Sequence, residues 1–441
     1  MEKSELKKIV LDEIERRKEE IVSLCRSIYE EPEEGFREFK TKEKLKSFFA
    51  KENIPYEEFS ITGIKGKISG KGDINIGIFS EMDALFNPSH PDSKNGLVHA
   101  CGHFAQIGYL LGVALGINRI KEHLSGNIFL FGTPAEEFID LSFREKLKNE
   151  GKIRFFGGKQ EMIREGVIKD VHIGIMAHGD SSYSGRYFTI RYRTNGFISK
   201  MIKFKGKPSH AGAEPEKGVN ALHIMTLSIN AINMLRERFK DKEHIRVHYI
   251  STKGGDSVNI IPDDVRMEMY VRGSSIDAIL SVDKLVDRAI VGSSYALNGD
   301  VTIKTIPGYL PLIQNDCLSE IFKKNAEEFG IEVKERDFSG ASTDMGDVSH
   351  LIPVIHPSFS GFSGDFHGDN FKMVDEEMAL IIPAKVIAMT LIDLLYDGAK
   401  NAKKILDSFT PLLTRERYLS LMNGLERETT LSSEIHPKSD G

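Results

Sequence analysis

The chain contains no tryptophan, only three cysteines and no sustained block of lysine and arginine. Each shortage removes a class of protein. Cys25, Cys101 and Cys317 cannot build a disulfide framework, and so few thiols fit a reducing compartment. A formal net charge of −6 without a basic run argues against a nucleic-acid partner, whose phosphates need clustered cations. The first residues, Met1-Glu2-Lys3-Ser4-Glu5-Leu6, are charged and lack the apolar run of a signal peptide. No stretch reads as the roughly 18 apolar residues of a bilayer span, so no membrane partner is expected. These absences predict a soluble, cytoplasmic protein.

What is present is α/β texture. At 441 residues the chain exceeds the size at which one core stops growing, so two domains are expected. Apolar residues at helical spacing predict an amphipathic helix over about 3–30 and another over Thr41 to Lys51. Ile64–Ile68, Ile74–Phe79, Ile128–Phe131 and Ile173–Met176 read as strands, with a helical stretch from Ala105 to Lys121 among them. This alternation predicts a catalytic α/β/α domain on a mixed, largely parallel sheet. From about Tyr187 the pattern becomes β-α-β-β-α-β, the order of a compact α+β unit. The expected division is a catalytic domain in two parts, 1–186 and 306–410, around an inserted lid or dimerisation domain, 187–305. Residues 411–441 remain as a C-terminal extension that reads as frayed at its end.

Polar residues stand where the strands end. Glu81 and Asp83 follow one predicted strand, Glu136 and Glu137 the next, and His178 the one after. Ligands of open α/β sheets gather at the carboxyl ends of strands, so these residues are expected to converge. His99-Ala100-Cys101-Gly102-His103 lies between the first two groups, and Asp365-Phe366-His367 lies far downstream. Thiolate, imidazole and carboxylate together are a ligand set for intermediate divalent metals, zinc first and manganese, cobalt or nickel also compatible. A second Glu beside a ligand Glu offers a general base. The pattern suggests a hydrolase that activates water on metal. Two other readings stand beside it. One is a Cys101 nucleophile with His103 as its base, which leaves Glu136, Glu137, His178 and His367 without a task. The other is a metal-stabilised binding protein without turnover, which has no need of Glu136.

The ordered segments Met82-Asp83-Ala84-Leu85, His99 to His103, Pro134-Ala135-Glu136-Glu137, Gly206 to Gly212, Asn259 to Asp263, Ser342 to Ser349 and His367 carry a resemblance. The chain resembles the dinuclear-metal aminoacylase and carboxypeptidase superfamily, in the amidohydrolase branch of hippurate hydrolase, auxin-conjugate hydrolases and aminobenzoyl-glutamate hydrolase. The resemblance implies two divalent ions per chain on Cys101, His103, Glu137, His178 and His367, with the thiolate shared. It implies Glu136 as general base and then acid, and Asp83 as the carboxylate that orients a metal-site residue. His210, Asn259 and Arg272 take positions that resemble substrate-contacting residues, with His210 acting across a homodimer; Arg272 alone reads equally as a surface arginine. The implied reaction is hydrolysis of the amide of an N-acyl amino acid, a dipeptide or a similar small conjugate.

The chain departs from its relatives in three places. Glu81 stands where they carry Asp, and the expectation is a supporting role beside the metal site. Phe104-Ala105-Gln106 follows His103 where an Asp is usual, so an acidic contact is expected to be missing or supplied elsewhere. A charged helical insertion, Ile139 to Asn149, is expected to rim the pocket and alter which acyl groups fit.

Overall fold

Strand Ile74–Glu81 organises the first sheet. It pairs in parallel with Gly126–Thr133 on one side and with Ile173–Met176 on the other. Gly63–Ile68 and then Tyr56–Phe59 extend the sheet antiparallel beyond Gly126–Thr133, and Val354–Ile355 adds in parallel at the opposite edge. The mixed six-stranded sheet is therefore parallel at its centre, as the near-continuous apolar runs of those strands require. The register sets Glu81 beside Thr133, so both chains leave the sheet at the same rim. A second sheet of four short strands contains His178–Gly179, Tyr187–Ile190, Glu332–Glu335 and Ser358–Phe359.

Helix His103–Asn118 is buried along almost its whole length. Gly108, Gly112 and Gly116 make a smooth stripe along it at four-residue spacing. A Cβ at Gly112 would lie 2.5 Å from Ala384 Cβ, and one at Gly116 would lie 2.6 Å from Val10 Cγ1. The glycines thus let helices Ile382–Leu395 and Lys3–Arg16 approach the backbone closely. The N-terminal helix expected over 3–30 divides at Arg17, whose guanidinium pairs with Glu20 and Glu52.

One expectation is corrected. Among the described residues, the helical stretch Glu377–Leu395 is long and apolar enough to cross a membrane. Its composition is explained by burial inside the core, where nearly every side chain is covered.

The structure, a computed structural model, describes residues 1–432, which divide into two units. The first comprises Met1–Arg193, Leu312–Ser339 and Asp344–Arg415. The second comprises Thr194–Pro311, Gly340–Thr343 and the chain from Glu416. The first crossing lies beyond the expected 186/187 because Tyr187–Ile190 still pairs with Glu332–Glu335 in the first unit, and the second lies beyond 305/306 because Asp300–Pro307 pairs with Gly196–Lys205 as far as Pro307.

The second unit is a five-stranded antiparallel sheet with helices Ala221–Met234 and Ile276–Ala296 packed against it. Its strand order is Arg246–Lys253, Asp264–Gly273, Gly196–Lys205, Asp300–Pro307 and Arg427–Leu431. The last strand comes from the extension beyond 410, which is no separate piece: it pairs with Asp300–Pro307. The frayed end expected beyond it lies, from Ser433 on, outside the described residues. Lys200, wholly buried, meets Asp283 at 2.5 Å and Asp287 at 2.6 Å, and Arg427 of the last strand pairs with the same two carboxylates.

Candidate metal centre

The rim of the first sheet collects its polar residues from four directions. Asp83 arrives just after Ile74–Glu81, and Glu136 and Glu137 after Gly126–Thr133. Cys101 and Gly102 precede helix His103–Asn118, with Gly102 at φ +81° turning the chain into it. His178 opens a strand of the second sheet. His367 lies on a loop at φ +62°, and its N–H donates to Ala100 O at 3.0 Å.

Two groups of side-chain atoms result, each with members within 4.8 Å of one another: Cys101, His103 and His178, and Cys101, Glu137 and His367. Cys101 Sγ belongs to both. It lies 3.5 Å from His178 Nε2, while His367 Nε2 lies 3.2 Å from Glu137 Oε1. A third group joins Glu81, His103 and Glu136. All five ligands that the resemblance implied are brought together, and so are Glu136, Asp83 and Glu81.

The orientation of the imidazoles suits a metal. His103 Nδ1 donates to Asp83 O at 2.9 Å and approaches Asp83 Oδ1 at 3.1 Å, which turns Nε2 inward. His178 Nδ1 donates to Gly179 O at 2.8 Å, and its Nε2 faces Cys101. Backbone or carboxylate acceptors on the far nitrogen are the usual support of ligating histidines. His103 Nε2 faces Glu81 Oε2 at 3.1 Å, as His367 Nε2 faces Glu137 Oε1, so the inward nitrogens meet carboxylate oxygens across the space where the donor atoms converge. The donor set of sulfur, nitrogen and oxygen fits a divalent ion.

Asp83 acts on both sides of the centre. While Oδ1 faces His103, Oδ2 accepts from the Glu137 N–H at 2.8 Å. It supplies the acidic contact that the Phe104 departure left in question. Phe104 itself packs against Tyr29 and His99. Gln106 instead pairs with Glu81 in both directions, its Nε2 donating at 2.7 Å and its Oε1 accepting from the Glu81 N–H at 2.9 Å.

Charges at the centre are strongly coupled. Burial and Glu137 push the Cys101 thiol up, but His103, His178 and His367 outweigh them and bring it to about 6. Glu137 is favoured as carboxylate by His367 and His103 against its burial. Glu136 is driven well above the usual carboxylate range by burial and by Glu81, Glu137 and Asp344. Such an upward shift is what a group that takes and returns a proton needs.

Sequence reasoning missed Lys159 and Glu38. Lys159 is wholly buried; its Nζ meets Glu81 Oε1 at 2.7 Å and pairs with Asp344. Glu38 accepts from the Ala135 N–H at 2.8 Å and from the Thr62 hydroxyl at 2.5 Å. A lone lysine or glutamate normally reads as a solvated surface charge, so no signal marked either.

His210, Asn259 and Arg272 belong to the second unit. His210 is exposed, with Nδ1 accepting from the Gly212 and Ala213 N–H groups. It bridges to Ile260, and Asn259 O accepts from Ala211 N at 3.0 Å, so the two loops lie side by side. Arg272 donates to Ser342 Oγ at 2.8 Å and to His248 Nε2 at 3.0 Å, over the rings of Phe197 and Tyr270.

Comparison with known proteins follows the same lines. The chain is 26% identical over 423 residues to the Xaa-Arg dipeptidase of Mus musculus, covering 89% of this chain and 90% of that protein. It is 25% identical to the N-acetylcysteine deacetylase of Bacillus subtilis, over 82% of this chain and 93% of that protein. Its fold matches the YXEP protein of Bacillus subtilis, described as a dinuclear metal binding peptidase, with a TM-score of 0.63 at 20% identity over 85% of this chain and 98% of that one. Residues 77–391 match peptidase family M20/M25/M40, and the chain belongs to that family.

Proposed function

We propose that this member of a hydrolase family cleaves the amide bond of an N-acyl amino acid or a dipeptide, using two divalent ions held by Cys101, His103, Glu137, His178 and His367. The observation that carries the reading is the pair of three-residue groups that share Cys101 Sγ. Similarity to a dipeptidase and to an N-acyl amino acid deacetylase supports the substrate class. Zinc is proposed first on the mixed donor set, with manganese, cobalt and nickel behind it.

When bound, the ions would polarise the scissile carbonyl and acidify a water. The protein's own groups do the rest. Glu136 accepts a proton from the water as its oxygen bonds to the carbonyl carbon. As the C–N bond breaks, Glu136 returns that proton to the leaving nitrogen. Asp83 holds the His103 imidazole and the Glu137 backbone in register. Glu81, tied to Lys159 and Gln106, backs the site.

His210, Asn259 and Arg272 are proposed to contact substrate, Arg272 by pairing with its carboxylate. A homodimer through the second unit is proposed because strand Arg246–Lys253 is a sheet edge and Ile250 and Met234 are exposed there. A cytoplasmic location is proposed on the three unpaired thiols.

Metal content per chain, measured on protein purified without chelator, tests the reading together with a panel of acyl-amino acids and dipeptides. The expected result is one to two divalent ions and hydrolysis that chelator abolishes and zinc or manganese restores. Metal-free protein with full, chelator-resistant activity that thiol alkylation removes would instead make Cys101 the nucleophile.

A further inference from the structure

The insertion after Glu137 contains a side chain that the proposed mechanism does not use. Arg144, on helix Leu141–Asn149, is only 1% exposed, the largest of the fully buried side chains. Its guanidinium pairs with no carboxylate among the described residues. It donates instead to two main-chain carbonyls, Glu137 O and Phe156 O, and lies over the rings of Phe36 and Phe138, 5.6 Å from each centroid. A guanidinium removed from water without an anion is expensive to bury. Room is made for it: a Cβ at Gly35 would lie 2.7 Å from Arg144 Nη2 and 2.8 Å from Ala135 Cα.

Those two carbonyls lie on either side of the insertion, one just before Ile139 and the other at Phe156 beyond Asn149. One follows the paired glutamates; the other precedes helix Gly158–Glu165, which carries Lys159. The turn that Arg144 reaches is itself unusual, because Ala135 sits at φ +54°, a left-handed conformation disfavoured for any residue but glycine. Such a turn persists only when its surroundings hold it. Glu38 holds the Ala135 N–H, Asp83 holds the Glu137 N–H, and the Glu137 carbonyl is shared between Ile139 N and Arg144. The peptides on both sides of Glu137 are thereby fixed, and with them the direction of its side chain toward Cys101 and His367.

We infer that Arg144 is a positioning residue that locks the Glu136–Glu137 turn in place from beneath, so that the insertion buttresses the metal centre. This rests on the metal reading above for its consequence, though not for its geometry. The test compares Arg144→Met and Arg144→Lys with Leu147→Ala, a buried residue of the same helix that touches neither carbonyl through a polar group. Amide exchange of peptides covering residues 133–139 is followed in metal-free protein, zinc affinity by chelator competition, and melting temperature in parallel.

Arg144→Met should speed exchange at Glu137 and weaken one of two zinc ions by about 10–100-fold, the range for groups that support ligands. Arg144→Lys should recover part of both. Leu147→Ala should lower the melting temperature while leaving exchange at Glu137 and zinc affinity unchanged. If Leu147→Ala matches Arg144→Met in both readouts, or Arg144→Met leaves both unchanged, Arg144 merely packs the insertion and the inference falls. Should Arg144→Met fail to fold, Arg144→Lys against Leu147→Ala decides the same question. Wild-type protein that takes up no zinc would refute the metal reading, while the exchange contrast still decides the positioning role.

Discussion

Each unit of this protein buries a lysine between two carboxylates, and the two clusters end differently. Lys200 lies between Asp283 and Asp287, and Arg427 joins them, giving two cations for two anions. Lys159 lies between Glu81 and Asp344, and Glu136 is close enough to bear on it as well. Beyond Glu81 stands His103, its Nε2 3.1 Å from Glu81 Oε2, and beyond Glu136 stand Glu137 and the Cys101 thiol. The first cluster is neutralised within the polypeptide. The second meets its carboxylates and its thiol with one lysine and the imidazoles of His103, His178 and His367. Imidazole and thiol in place of fixed cations are groups that can exchange protons for a divalent ion, which is the physical difference between a structural ion network and a candidate metal site.

Replacing the proposed proton carrier should produce the largest effect. Glu136→Gln keeps the shape of the side chain but cannot carry a proton between water and leaving nitrogen. Turnover should fall by about 10²–10⁴-fold, the usual contribution of a general base. Metal content should stay at the wild-type level. Elemental analysis beside kcat/KM on an N-acyl amino acid checks both; unchanged turnover at normal metal content would remove Glu136 from the mechanism.

Deleting the lysines sharpens the comparison itself. Lys200→Met and Lys159→Met should each destabilise by about 3–5 kcal/mol, the cost of breaking a buried pair. They should part company when metal is added. Zinc stabilises any native state that binds it, by about 2.7 kcal/mol at a hundred times its dissociation constant. In Lys200→Met that increment should equal the wild-type one, since the balanced cluster takes no metal. In Lys159→Met the increment should be larger, because more negative charge awaits the ion. Denaturant melts with and without zinc measure it, and equal increments in the two variants would erase the distinction.

The sequence made these two clusters unequally legible. Cys101, His103, Glu136 and Glu137 stand in short segments at strand ends, where a rule of α/β sheets says that ligands converge. Lys159, Asp283 and Arg427 lie in stretches whose charges look like any solvated face, and their burial depends on which helix or strand the fold lays over them. Arg427 shows this best: a tail that reads as frayed holds a strand whose partner, Asp300–Pro307, lies far upstream. The apolar helix Glu377–Leu395 shows the converse limit: its composition alone would suit a bilayer span, and only its burial marks it as a core helix. Parallel strands and the split βαββαβ order were visible because their apolar periodicity is local.

The smallest expected effect probes the charge balance without a mutation, through the three thiols. Cys25 is buried with its thiol pushed up by desolvation, and Cys317 is exposed. Cys101 differs because three histidines outweigh burial and Glu137 and bring its thiol down to about 6. The sign follows directly. A folded pKa below the unfolded value means that the thiolate's contribution to stability is fully present above the unfolded pKa, about 8.5, and is lost as pH falls through 6. Since the thiolate is the nucleophile, alkylation of Cys101 in metal-free protein should reach half its maximal rate near pH 6, in the Cys317→Ser background to isolate the signal. Zinc should suppress the reaction, because a coordinated thiolate has its lone pair engaged. A midpoint near that of an ordinary thiol would mean that the histidines do not surround Cys101 as a charged set, and the contrast between exchangeable imidazoles at this rim and fixed cations around Lys200 would lose its support.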